Sequence, residues 1–216
     1  MQDSLLHLFK TARFLPLFIT QFLGAFNDNV FKNALVVLIT YDVGIRAGFE
    51  PALLVLIAAG IFILPFFLFS ALAGQYADKL ERSVLIRKIK MVEILLMAIG
   101  SFGFFIGNLY VLMFVLFMMG TQSTFFGPIK YGILPDHLRE EELIGGNGLI
   151  GMATFLAILL GTIAGGLLIM MDFGVGIVTI MVLSVSVCGY LSAQKIPPSA
   201  GKSPDLKINY NFMAET

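Results

Sequence analysis

An all-α, polytopic membrane protein with six transmembrane helices is the fold class this sequence predicts, and three observations predict it. Hydrophobic residues make up 58% of the chain and charged residues 13%, against roughly 25% charged in an average soluble domain, and the mean hydropathy is +0.91. The apolar residues fall into six stretches, each close to the ~20 residues a helix needs to cross the ~30 Å hydrocarbon layer. Of the 14 Lys and Arg residues, only Arg46 falls in an external connection and only Lys32 deep within a span. That asymmetry orients a membrane protein with its basic connections in the cytoplasm.

Residues 1–13 form a short, mildly amphipathic lead ending in Lys10 and Arg13. The first span covers 14–40, and an external connection, 42–50, holds Arg46. The second span covers about 51–74, with Pro65 near its middle as an expected kink. Lys79, Arg82, Arg87, Lys88 and Lys90 then cluster in a basic loop, the strongest orientation signal in the chain. Spans three, about 89–107, and four, about 109–134, are separated by a tight turn at Gly107 and Asn108. Glu93 is read as an interfacial residue paired with Lys90 or a neighbouring helix end, and Gly127-Pro128 weakens span four ahead of Lys130.

A cytoplasmic segment, 135–146, contains Asp136, His137, Arg139 and the run Glu140, Glu141, Glu142, expected to be a solvated helix start. Spans five, about 147–171, and six, about 174–193, join at Asp172 and Phe173, and Gly161-x-x-x-Gly165-Gly166 permits close backbone approach by a neighbour of span five. Lys195 and Pro197-Pro198 close a bundle that occupies 14–196, and 197–216 reads as a polar cytoplasmic linker. Both termini are expected in the cytoplasm, with neighbouring helices packed as antiparallel hairpins.

Several function classes are excluded. Cys188 is the single cysteine and lies in an apolar run, so no disulfide framework exists. Trp is absent, which leaves interfacial anchoring to Tyr41, Tyr76, Tyr110 and Tyr190. No P-loop, His/Cys metal spacing or G-x-S-x-G elbow occurs, so no cofactor, metal or catalytic residue is assigned, and no nucleic-acid partner is expected. His137-x-x-x-x-Glu142 is one residue type away from the H-x4-D arrangement of glycerolipid acyltransferases. Its setting in a short hydrophilic loop argues against catalysis by this chain, and His137 is read as a loop histidine near a helix end.

Asn27, Asp28 and Asn29 occupy the middle of the first span. A carboxylate there costs roughly 2.5–3.5 kcal/mol on insertion scales, so it faces protein or water rather than lipid. Gln21, Ala25, Asp28 and Lys32 recur at helical spacing and make one polar stripe. Asp28 and Lys32 stand at i and i+4, which admits either contact with a polar ligand or an internal ion pair. Gln122, Ser123 and Thr124 put polar groups near the middle of span four, and Lys130 either faces the cavity or snorkels to the interface.

The stretch Gly74-Gln-Tyr-Ala-Asp78-Lys79-Leu-Glu81-Arg82 resembles the signature loop of the major facilitator superfamily, G-x-x-x-D-[RK]-x-G-[RK], with Glu81 in place of the usual glycine. That resemblance implies a gating role for Asp78, Lys79 and Arg82, holding one conformation closed. Phe22-Leu-Gly-Ala-Phe-Asn27-Asp28-Asn29, Phe126-Gly-Pro-Ile-Lys130-Tyr131-Gly132-Ile-Leu and Gly145-Gly-Asn147-Gly-Leu are similar to bacterial lysophospholipid transporters of that superfamily. The likeness covers nearly all six spans and is especially close to the transporter portion that some bacteria fuse to a 2-acylglycerophosphoethanolamine acyltransferase.

What this implies is the six-helix N-terminal half of a transporter of about twelve helices, moving lysophosphatidylethanolamine and related lysolipids across the bacterial inner membrane by alternating access. Asp28 and Lys130 match motif positions expected at the polar headgroup, and Asn29, Lys32 and Gln122 are placed beside them. Phe22, Phe26, Phe31, Phe125 and Phe126 are candidates to cover the acyl chain. Implied partners are the lysophospholipid, membrane lipids, a second six-helix half or a dimer partner, and an acyltransferase downstream. The same fold also admits a drug or small-solute exporter, and an isolated six-helix unit admits a non-transporting accessory subunit.

Overall fold

The computed structural model describes residues 5–42, 48, 50–199, 201, 203 and 205–209. Arg46 and residues 210–216 of the expected linker lie outside the described residues. Six helices are long and apolar enough to cross a membrane: α1 Leu15–Tyr41, α2 Pro51–Lys79, α3 Arg82–Ile106, α4 Leu109–Gly132, α5 Leu143–Leu168 and α6 Gly174–Ala193. No strand occurs among the described residues.

Local chemistry sets the ends. Glu50 caps α2 by accepting the Leu53 N–H at 3.2 Å, with Pro51 in the first turn where its missing N–H is harmless. At the end of α3, Gly107 takes a left-handed φ of 60°. The Asn108 and Gly107 amides then return to the carbonyls of Gly103 and Phe104 at 3.1 and 3.3 Å, a Schellman closure. The Asn108 side chain caps α4 by accepting the Val111 N–H at 3.1 Å, so one dipeptide ends one helix and starts the next.

One expectation about connections changes. The basic loop shrinks to Leu80 and Glu81, because α2 runs on to Lys79 and α3 already begins at Arg82. Hydropathy marks where a bilayer core begins, whereas Leu85, Ile86 and Ile89 continue the helical apolar stripe among the basic residues. Pro65 and Pro128 both sit inside unbroken helices. Pro65 lies where α2 crosses α4: a Cβ on Gly120 would stand 2.3 Å from the Phe62 carbonyl oxygen and 3.2 Å from Pro65 Cγ.

Helix α1 is central, packing most extensively against α5 and α6 and also touching α2 and α4, while α2 packs on α4, and α3 on α4 and α6. The glycine pair in α5 is a close crossing, since a Cβ at Gly161 or Gly165 would lie 2.6 Å from the Phe26 oxygen or 2.3 Å from the Val30 oxygen. Buried apolar residues form two clusters. One contains Phe31, Leu35, Phe104, Leu112 and Met119, the other Leu8, Phe14, Leu17, Ile86, Ile129 and Ile150. Between them, along α1, α3 and α4, lie buried Gln21, Asn27, Asn29, Lys90, Glu93 and Gln122. The polar groups thus form a layer sandwiched between two apolar cores. Phe67, Phe102, Phe105, Phe114 and Phe155 face outward.

At the end of the bundle near Leu8, Glu142 is buried rather than solvated. It accepts two bonds from Arg13, both at 2.7 Å, one from the Arg139 N–H at 2.8 Å, and contacts His7 Nε2 at 3.0 Å. The lead is therefore clamped to the start of α5. The segment after α6 also docks: the Ser199 carbonyl accepts the Arg82 N–H at 2.8 Å, and its own N–H donates to Glu81 at 3.1 Å. Further along, the Ser203 N–H reaches the Asp78 carbonyl at 2.9 Å, and the Asn209 N–H reaches Gln75 at 2.7 Å.

Candidate functional site

The polar layer opens into a cavity of ≈ 260 Å³. Its walls are Gln21, Gly24, Asp28, Asn29 and Lys32 from α1, Phe62 and Phe66 from α2, Lys90 and Glu93 from α3, Gln122, Ser123, Phe126 and Lys130 from α4, and Thr154 and Ile158 from α5. Helices α2, α3 and α5 therefore join the spans one and four that the sequence pointed to. An apolar groove of ≈ 260 Å³, lined by Leu35, Val36, Val55, Ala58 and Leu116, shares Lys32 and Phe62 with the cavity. A polar chamber and an apolar groove thus meet at one lysine and one aromatic ring.

Asp28 Oδ2 accepts a 2.8 Å bond from Ser123 Oγ, joining α1 to α4. Its Oδ1 is buried with no donor among the described residues. A buried acceptor left unpaired costs about 1–3 kcal/mol, so this oxygen suits a donor brought by a ligand. Lys32 does not close a contact ion pair with Asp28; its Nζ lies 4.2 Å from the centroid of Phe62, a cation–π contact. Lys130 Nζ faces Tyr131 at 5.0 Å and lines the cavity. Gln122, on the facing helix, keeps a buried Oε1 without a donor among the described residues.

Asn29 differs from its neighbours: its amide donates to the Ala25 carbonyl of its own helix at 2.7 Å, which leaves less of it for a ligand. Gln21 donates to Thr154 Oγ1 at 2.7 Å and ties α1 to α5 at the cavity floor. Of the five phenylalanines singled out, Phe126 alone lines the cavity. Phe31 packs in the core against Phe104, with ring centroids 4.9 Å apart. Phe62 and Phe66 of α2, not anticipated, take the aromatic role.

Glu93 is not interfacial: it is 1% exposed, bonded to Lys90 Nζ at 2.5 Å and to Asn27 Nδ2 at 3.0 Å. Placing the third span at residue 89 put Glu93 near a membrane edge, whereas a helix beginning at Arg82 carries it about 16 Å inward at ~1.5 Å per residue. The pairing with Lys90 that the sequence points to is present, at i, i+3 spacing amid apolar residues.

The three residues expected to gate, Asp78, Lys79 and Arg82, are distributed unevenly. Arg82 is fully buried, its Nη1 2.8 Å from Asp136 Oδ2 and its Nε donating to the Ala77 carbonyl at 3.1 Å. Asp78, with a side chain 58% exposed, stands 3.6 Å from Nη2 and is the weaker partner. Asp136, read only as part of a loop, closes the contact from the one-turn helix Leu134–His137. Lys79 is half-buried at the last residue of α2. His137 ends that one-turn helix, and with Glu142 held by Arg13 the two do not form an acid–base dyad.

Comparison with known proteins agrees with the geometry. The lysophospholipid transporter LplT of Enterobacter sp. strain 638 is 34% identical over 150 residues, 68% of this chain and 34% of the transporter. The LplT of Escherichia fergusonii is 31% identical over 152 residues, 69% of this chain and 35% of that protein, and the LplT of Citrobacter koseri 32% over 150 residues, 68% and 34%. The chain thus spans about a third of the length of the curated relatives it matches, each of which is a lysophospholipid transporter. Residues 17–208 match the family described as the Major Facilitator Superfamily, and with six apolar helices packed around a polar cavity this chain belongs to it.

Proposed function

We propose that the chain is the N-terminal six-helix half of a lysophospholipid transporter that moves lysophosphatidylethanolamine and related lysolipids across the bacterial inner membrane by alternating access. The single observation that carries this reading is the junction at Lys32 and Phe62, where a cavity bearing charges of both signs meets an apolar groove. A lysolipid has that composition: a charged headgroup on one acyl chain. Asp28, with its free carboxylate oxygen, accepts a headgroup donor; Lys130 and Lys32 meet the phosphodiester; Gln122 supplies a further acceptor. Asn29 positions α1 through its bond to Ala25. The groove beside Phe62 takes the chain.

Arg82 with Asp136, Asp78 and Lys79 forms the latch at the end of the bundle that faces the cytoplasm, and both termini lie on that side. A second six-helix half or a dimer partner supplies the surface against which this unit rocks, and an acyltransferase, fused or separate, consumes the delivered lysolipid.

The test is uptake of headgroup-labelled lysophosphatidylethanolamine by spheroplasts expressing the full reading frame that contains this chain. Uptake above that of empty membranes, suppressed by unlabelled lysolipid and not by small hydrophilic solutes, supports the reading. Confirmed insertion without uptake overturns it.

A further inference from the structure

Lys90 and Glu93 lie one turn apart on α3, 3% and 1% exposed. A buried ion pair in a membrane helix stabilises poorly, because desolvation offsets the attraction and an apolar pair of similar volume packs as well. Three neighbouring helices, α1, α4 and α6, meet the lysine. Gly24 of α1 stands where the lysine passes: a Cβ there would lie 2.3 Å from Lys90 Nζ. A Cβ on Gly189 of α6 would stand 3.8 Å from the same nitrogen, and Phe126 of α4 presents its ring 5.6 Å away. Glu93 accepts from Asn27, and Asn27, fully buried, keeps its own Oδ1 without a donor among the described residues. Both charged groups face the cavity that holds Asp28 and Lys130.

We propose that Lys90 and Glu93 form a headgroup-exchange site that selects lysophospholipids carrying an ammonium group. The proposal rests on the lysolipid reading above. Phosphoethanolamine carries a phosphodiester anion and an ammonium two carbons apart, so it inserts between the two side chains and replaces one ion pair with two. Lys90 turns to a phosphate oxygen and Glu93 to the ammonium. The ammonium has three N–H donors, enough to reach Asn27 Oδ1 and Asp28 as well. Every buried charge keeps a counter-ion throughout the exchange, which avoids the penalty of an unpaired ion. A phosphoglycerol headgroup, with no ammonium, takes Lys90 and strands Glu93. Selection comes from that penalty against the wrong headgroup.

The experiment measures uptake of lysophosphatidylethanolamine and lysophosphatidylglycerol of identical acyl chain, in spheroplasts expressing the full reading frame, for the unsubstituted protein and for K90M/E93Q. The double substitution leaves no orphan charge. The unsubstituted protein is expected to favour the ammonium-bearing lysolipid, and K90M/E93Q to lose about tenfold of that preference, equivalent to ~1.4 kcal/mol. Asn27→Ala, which keeps the ion pair, is run beside it and is expected to lower the ratio about threefold. A purely structural pair alters membrane level or the uptake of both lipids together, not their ratio. An unchanged ratio in whichever variant inserts to the unsubstituted level overturns the proposal, as does an unsubstituted protein with no preference. Uptake of neither lipid by the unsubstituted protein overturns the lysolipid reading, and this proposal with it.

Discussion

Arg82 and Asp136 are joined across 54 residues of chain, Nη1 to Oδ2 at 2.8 Å, and this contact ties the turn between α2 and α3 to the short helix that follows α4. The guanidinium is 1% exposed and the carboxylate 31%. Removing the carboxylate strands a buried cation. Asp136→Ala is expected to cost about 2 kcal/mol after allowance for the exposure of the carboxylate, and Asp78→Ala less than about 0.5 kcal/mol. Thermal melts in detergent, followed by circular dichroism at 222 nm, check the order. Equal shifts for the two variants contradict the ranking.

Gly165 and Gly166 are adjacent but not equivalent. A Cβ at Gly165 would meet the Val30 carbonyl oxygen at 2.3 Å, whereas one at Gly166 meets nothing within 4 Å. Gly165→Val is expected to separate α1 from α5 and abolish a monodisperse elution peak. Gly166→Ala is expected to raise the melting temperature slightly, by the ~0.5–1 kcal/mol that alanine gains over glycine inside a helix.

Asp28 holds Ser123 through one oxygen and leaves the other unpaired. Asp28→Asn is expected to abolish lysolipid uptake while the protein still inserts. Ser123→Ala, which removes one donor worth about 1 kcal/mol, is expected to cut uptake about fivefold. Full activity in Asp28→Asn counts against its place at the headgroup.

Glu81 is partly buried, which raises its carboxyl. Hydrogen bonds from Ser83 and Ser199 and the charge of Arg87 outweigh that, leaving it below the ordinary value of 4.5. A group depressed in the folded state stabilises above its unfolded value and loses that contribution as pH falls through the folded one. Protection of the Ser199 amide from hydrogen exchange, taken relative to the intrinsic rate at each pH, is therefore expected to fall below about pH 4.5. Glu81→Gln should lower that protection at every pH and remove its dependence on pH in this range.

Six helices, the Gly107 turn and the glycine crossing of α5 were legible because each follows from local chemistry: apolar length, a left-handed cap, a missing Cβ. Asp28 stood out for the same reason, as a charge at mid-span. The pairing of Glu93 with Lys90 is legible from their i, i+3 spacing, but the burial of Glu93 and of Glu142 is not, because Asn27 and Arg13, which hold them, are distant in sequence. Asp136 was passed over as a loop residue for the same cause. The aromatic wall was assigned to α1 and α4, yet α2 provides most of it, since the rotation of a uniformly apolar helix is set by its neighbours and leaves no trace in its own pattern.

The chain leaving α6 does not depart from the end of α6. Pro197 and Pro198 lack amide hydrogens, and the next anchors are the bonds of Ser199 to Glu81 and Arg82, of Ser203 to Asp78, and of Asn209 to Gln75. Mechanically, this is a tether made fast to the last turns of α2. A pull on residues beyond 209 is delivered to α2 and to the Arg82 contact, while α6 bears little of the load. Any body attached to that chain therefore steers the bundle through the same turn that carries Arg82.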